Sequence, residues 1–164
     1  MTRNEYLQIR LSHEDKEQIR KQAHACGKSI SEWIRNRLIP EKVLIFHAII
    51  QQLSHAREEE KKFIYANMHD FLRDLKKGEL EDVLCAPAEM RLDSITLNLI
   101  AAMVETRAKQ LKVRVPSWIC EIKPLARPYF VTPLESLRLH LLKNAPIEFK
   151  ARNLFVDATL GERA

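Results

Sequence analysis

The run from Asn4 to Ile39, NEYLQIRLSHEDKEQIRKQAHACGKSISEWIRNRLI, sets one short strand-like alternation ahead of two short helical stretches, and that order restricts the available folds. In Tyr6-Leu7-Gln8-Ile9-Arg10-Leu11, the side chains of Leu7, Ile9 and Leu11 fall on one face of an extended segment and those of Tyr6, Gln8 and Arg10 on the other. Ser12 is placed to cap a helix over about residues 13–26, with Asp15 three positions on, Ile19, Ala23 and Cys26 at helical spacing, and Gly27 at the stop. Ser29 and Glu32 repeat the pattern for a second helix over about 30–39, with Ile30, Trp33, Ile34 and Leu38 as its apolar stripe and Pro40 at its end. A lone strand leaves its backbone and one apolar face unsatisfied. A second copy of the chain is the simplest source of a partner strand.

This arrangement resembles the ribbon-helix-helix family of DNA-binding proteins, which includes the Arc and MetJ repressors. The residues carrying the likeness are the alternating strand, the Arg ahead of the cap, and the turn Gly27-Lys28-Ser29-Ile30-Ser31-Glu32-Trp33-Ile34-Arg35. The resemblance implies a homodimer whose paired strands enter the major groove of double-stranded DNA, which is wide enough for a two-stranded ribbon. On that reading Tyr6, Gln8 and Arg10 face the bases. Arg10 can donate two hydrogen bonds to guanine and Gln8 can pair its amide with adenine, while for Tyr6 stacking, a thymine methyl contact and a phosphate contact all stay open. Lys28, Ser29, Ile30 and Ser31 would hold a phosphate at the start of the second helix. Leu7, Ile9, Leu11, Trp33 and Ile34 would form the dimer core.

The net charge of +5 favours polyanions, but it is unevenly placed. Lys and Arg outnumber Asp and Glu by eight to five in residues 1–40 and by eleven to seven in residues 93–164, whereas residues 41–92 carry eight against ten. The middle is therefore the part least suited to nucleic acid. The three glycines, Gly27, Gly78 and Gly161, cannot assemble a phosphate-binding loop or a dinucleotide fingerprint. No histidines fall at the i, i+4 ligand spacing and there is no Cys-x-x-Cys, so neither a metal nor another cofactor is expected; His47, His55 and Asp70 are read as helix-surface groups. Asp70, Asp74, Glu79 and Glu81 are acidic enough for acid-base work but read as a helix face and its exit, so no catalytic residue is assigned. Cys26, Cys85 and Cys120 read as buried, reduced thiols of a cytoplasmic protein, and no stretch is apolar enough for a membrane span or an export signal.

Past Pro40, the residues Val43, Leu44, Phe46, Ile49, Ile50 and Leu53 predict a third helix. The mixed charges of residues 54–62 follow, then a helix over about 57–77 with Phe63, Ile64, Met68, Phe71, Leu72 and Leu75 on its apolar face. Residues 79–92 read as a connection. Asp93 caps a helix carrying Ile95, Leu99, Ala102, Met103 and Leu111; short proline-punctuated pieces, a helix over Leu134–Leu142 and a short turn after Pro146 complete the chain. Trp118, Tyr129, Phe130 and Phe155 read as core, and Arg127, Arg138, Lys150 and Arg152 either as a basic patch or as solvated charge.

From Asp93 onward the chain is similar to a helical segment of small bacterial proteins encoded beside nucleotidyltransferase-like toxins. That likeness rests on Pro116 to Trp118, Leu125 with Arg127-Pro128-Tyr129-Phe130, Leu137-Arg138, and Ala145 to Phe155. It implies a toxin-like protein partner for the C-terminal region. The expected fold class is thus mainly α with one short N-terminal β-strand: a ribbon-helix-helix module at 1–40, a helical connector at 41–92 and a helical partner-binding domain at 93–164. The leading expectation is an antitoxin-type transcriptional autoregulator. Mobilisation proteins also resemble the start, especially Ser29 to Arg35, so the alternative is a relaxosome accessory protein binding a transfer origin. A third reading is a protein-neutralising module with secondary DNA binding.

Overall fold

The computed structural model describes residues 8–38, 40–87 and 91–157. The chain divides into two compact units, Met1–Glu41 and Lys42–Ala164.

In the first unit, Ser12 is extended at φ −69°, ψ 163° and caps α1, His13–Ala25. Its hydroxyl accepts the Asp15 amide at 3.1 Å and donates to the Asp15 carboxylate at 2.6 Å, which also places negative charge at the positive end of the helix dipole. Gly27, at φ 64°, ends the helix: its amide reaches the His24 carbonyl at 3.0 Å and the Lys28 amide reaches Ala23 at 3.0 Å, the two bonds of a Schellman stop. Ser29 then accepts the Glu32 amide at 3.2 Å and opens α2, Ile30–Leu38. Among the described residues of the expected strand, Gln8 to Leu11, no strand is formed. Tyr6 and Leu7 lie outside the described residues, and Gln8 to Leu11 are irregular in the single chain, since no described strand of this unit pairs with them.

The second unit is built around one central helix. Its first helix, α3 (Glu41–His55), buries Val43, Phe46, Ile49, Ile50 and Leu53. After a break at 56–57, the Glu60 carboxylate accepts the Arg57 amide at 3.1 Å and α4 runs Glu58–Arg73. This helix ends earlier than its apolar periodicity predicts. Arg107 donates to the carbonyls of Arg73 and Leu75 at 2.6 and 2.8 Å, capturing groups that a longer helix would use internally. The segment expected to be a connection holds α5, Leu80–Val83, with Leu80, Val83 and Leu84 buried. Asp93 caps α6, Ser94–Leu111, accepting the Thr96 amide at 2.8 Å.

α6 is buried on two sides, which is why its sequence shows little amphipathic contrast. Ile100, Ala101, Val104 and Ala108 join Phe46, Ile50, Leu53, Met68, Leu72 and Ile119 in one core cluster, and Ala102 joins Phe149, Leu154 and Val156 in another. Helices from both sides of the expected 92/93 division contribute to the first cluster. α7 (Ser117–Glu121) brings Trp118, whose indole N–H donates to the Leu84 carbonyl at 2.7 Å. β1 (Tyr129–Phe130) and β2 (Leu154–Phe155) pair in parallel, Tyr129 opposite Leu154, with α8 (Glu135–Asn144) and α9 (Ile147–Ala151) forming the crossover. The strands described therefore lie in this C-terminal pair, not at the N-terminus.

Two polar groups fasten elements to α6. The buried Arg152 guanidinium donates to Glu105 at 2.6 and 2.9 Å, to Asn98, and to the carbonyls of Ile119 and Ile122. It ties α6, α7 and the chain entering β2 together, and is not part of a surface patch. Lys61, only 8% exposed, holds Glu58, Asp93 and the Thr96 hydroxyl. Its hydrogen bond to Glu58, with help from Asp93, raises its pKa against the opposing effect of burial. All three cysteines are free and exposed, contrary to expectation. Cys26 is the C-cap of α1 and Cys85 lies past the end of α5, while Cys120 sits on the five-residue α7 next to the buried Ile119.

Replacing Arg152 with methionine strands the Glu105 carboxylate against the core and costs about 3 kcal/mol of unfolding free energy in urea. The Arg152→Met/Glu105→Gln double variant recovers part of that loss. Asp93 gives a pH signature. Partial burial pushes its carboxyl up, but hydrogen bonds from the Thr96 amide and hydroxyl, together with Lys61, outweigh this and hold it at about 2 against an ordinary 3.8. Its contribution is complete above the ordinary value and is lost as pH falls through about 2. The stability gap between wild type and Asp93→Asn, in which the cap is kept and the charge removed, should shrink across that window; a constant gap would refute the assignment.

Candidate nucleic-acid interface

The first unit presents an apolar face that its own chain does not cover. Among the described residues up to Glu41, Ala23 is the only buried one. Ile9 and Leu11 are each 47% exposed, Ile30 37% and Leu38 62%, while Trp33 and Ile34 are half-buried. Ile9, Leu11, Ile19, Ile30 and Ile34 line an open depression of about 570 Å³, with Arg10 and Lys16 at its margin. Of the residues assigned above to a dimer core, Ile9, Leu11 and Ile34 line this depression in a single copy; Trp33 is not among its lining residues, and Leu7 lies outside the described residues.

The polar partners of the alternation, Gln8 and Arg10, are exposed, and Tyr6 lies outside the described residues. Lys28, Ser29, Ile30 and Ser31 are all exposed at the entry to α2. This entry is built by the Gly27 turn, which points the first-turn amides outward, where no carbonyl of α2 can reach them. Exposed amides, the positive end of the helix dipole and the Lys28 ammonium form a combination that suits an anion. Lys16, at the margin of the depression, escaped sequence reasoning; it lies three residues before Ile19 and hence on the same side of α1. Arg37 was likewise unassigned and places its guanidinium 5.4 Å from the centre of the Trp33 ring, a contact that their i, i+4 spacing encodes.

Other candidate groups do not assemble a site. Arg138 is paired with Glu135 at 3.3 Å and lies over the Phe130 ring, Lys150 donates to the Lys143 carbonyl at 2.8 Å, Arg127 is exposed and Arg152 is buried. Among the suggested acids, Asp70 pairs with Arg73 at 3.3 Å. Glu79 accepts from Lys42 at 2.6 Å and from the Lys76 amide at 2.9 Å, and these bonds, the Lys42 one foremost, lower its pKa. Among the described residues no three His, Cys, Asp or Glu side chains are placed to hold a metal ion, and no helix is long and apolar enough to cross a membrane.

Residues 1–53 match the model of the NikA-like family, described as mobilization protein NikA. The match covers the first unit and most of α3. No curated protein and no solved structure matches the chain.

Proposed function

We propose that this chain is a dimeric DNA-binding accessory protein of plasmid mobilisation that recognises a transfer origin through its first forty residues. The observation that carries the proposal is the mobilization-protein match over residues 1–53, on the segment that also holds the alternating run, both helix caps and the Gly27 turn. Antitoxin-type autoregulation, expected from the C-terminal likeness, has no observation of its own. The family match falls on the N-terminal module, and the name attached to it is mobilisation. The same holds for a toxin-like partner and for a neutralising module.

The mechanism follows from the uncovered face. A second copy supplies the missing strand, so that Leu7, Ile9 and Leu11 of both chains bury one another over Trp33 and Ile34, and the released hydrophobic energy orders residues 6–11 as a two-stranded ribbon. The ribbon's other face, Tyr6, Gln8 and Arg10 from each copy, enters the major groove. Arg10 reads guanine and Gln8 reads adenine. The amides of Ile30 and Ser31, with Ser29 and Lys28, grip a phosphate on either side and fix the register without reading sequence. A twofold-symmetric reader of this kind calls for a site with inverted-repeat character.

Arg10→Ala should cost about 1–3 kcal/mol on the specific site and relax preference at one base position per half-site, read by fluorescence anisotropy against single-base variants. An equal loss on every sequence would make Arg10 a phosphate contact. Ile9→Glu should leave the second unit folded, because no residue of Met1–Glu41 belongs to its core clusters, yet abolish association through the first unit and DNA binding together. A monomeric variant that still bound its site would contradict the shared ribbon.

A further inference from the structure

The larger unit also carries an uncovered apolar surface, centred on α8. Leu141 packs with Ala145 and Phe155, but Leu134, Leu137, Leu139 and Leu142 remain 58, 43, 63 and 44% exposed. A helix that is apolar beyond the side it buries is normally covered on its other side as well, and Leu139 and Leu142, three residues apart, are neighbours on that side.

The charges of α8 identify what covers it. Glu135, Leu139 and Lys143 are spaced four residues apart and form one stripe along the helix, with the acid one turn before the leucine and the base one turn after it. Leu142 flanks the stripe on one side of its midpoint and Ser136 at the matching position on the other. This pattern is complementary to itself under one operation. About a twofold axis through Leu139, two antiparallel helices set Leu139 on Leu139, each Glu135 against Lys143 of the second copy, and each Leu142 over the small Ser136. A parallel pair would oppose Glu135 to Glu135 and Lys143 to Lys143. Glu135 is available for the exchange: its side chain is 82% exposed and its pairing with Arg138 is a 3.3 Å contact within the helix, while Arg138 has a separate hold over Phe130 at 5.4 Å.

We propose that α8 is a self-association helix that docks antiparallel on α8 of a second copy, through Leu139 and Leu142 with two reciprocal Glu135–Lys143 pairs. No residue of Met1–Glu41 enters this contact, so it stands independently of the DNA reading. It would give the protein two self-association surfaces, one in each unit, and hence a means of linking dimers held on neighbouring DNA sites.

The test uses the full chain and sedimentation equilibrium on four proteins: wild type, Glu135→Lys, Lys143→Glu and the double exchange. Each single change sets like charges against each other twice and should raise the dissociation constant of the α8 contact on the order of tenfold. The double exchange restores both pairs and should return it to the wild-type value. Any association through the first unit is unaltered across the set, so the comparison isolates α8. In parallel, Leu139→Cys in a background with Cys26, Cys85 and Cys120 changed to serine should be crosslinked between copies by a short bismaleimide, and Leu134→Cys in the same background should not. Single variants that associate like wild type, a double exchange that fails to recover, or equal crosslinking at the two positions would each overturn the proposal. Wild-type association that depends on Lys143 alone, with Glu135→Lys silent, would also overturn it and point to an acidic partner instead.

Discussion

Two helices that bury a single alanine between them cannot account for their own order. α1 and α2 have well-formed ends: Ser12, Gly27 and Ser29 satisfy amides and carbonyls that would otherwise be stranded, and such caps are each worth about 1 kcal/mol. Ends alone do not hold a unit together. Packing must supply the rest, and Ile9, Leu11, Ile19, Ile30 and Ile34 of the first unit line an open depression that their own chain does not fill. That deficit is the physical core of the functional reading. On the proposed reading, a second chain closes the apolar face beside the exposed Arg10 and the exposed entry to α2, and so brings the polar side chains of both copies into one ribbon.

The second unit has the opposite character. It closes over its own core, with α6 as the shared element between two apolar clusters and two cations pinning distant segments to it. Arg152 is the more consequential of these, because its five donors reach a carboxylate, a side-chain amide and two backbone carbonyls that belong to α6 and to the end of α7. Lys61 clips α4 to the start of α6 through Asp93.

What the sequence reveals and what it hides divides along the range of the interactions. Ser12, Gly27, Ser29 and Asp93 act on backbone within five residues of themselves, so their helix ends are legible from the chain alone. The early stop of α4 is not, because the guanidinium that ends it comes from Arg107, more than thirty residues away. Arg152 reads as one more surface cation until Glu105 is placed beside it. α5 is too short to show a period, and the pairing of Tyr129–Phe130 with Leu154–Phe155 involves two residues on each side across a helical crossover. The exposure of the cysteines is hidden because Cys26 and Cys85 fall just past helix ends and Cys120 shares a short helix with the buried Ile119, so apolar neighbours in sequence do not cover them. At the candidate interface, the apolar set and the α2 entry were legible by the same local logic, whereas Lys16 joins them only through the fold. Tyr6 and Leu7 fall outside the described residues, so their expected roles rest on the resemblance and the alternation.

The claim at the centre of this account is that the first unit reads a transfer origin. The most direct measurement is selection of genomic and plasmid fragments by the purified full chain at near-physiological salt, followed by sequencing, with Arg10→Ala as the control. The account predicts enrichment of an inverted-repeat element at a plasmid transfer origin, lost in the control. Enrichment of the chain's own promoter instead, or no sequence enrichment at all, would contradict it.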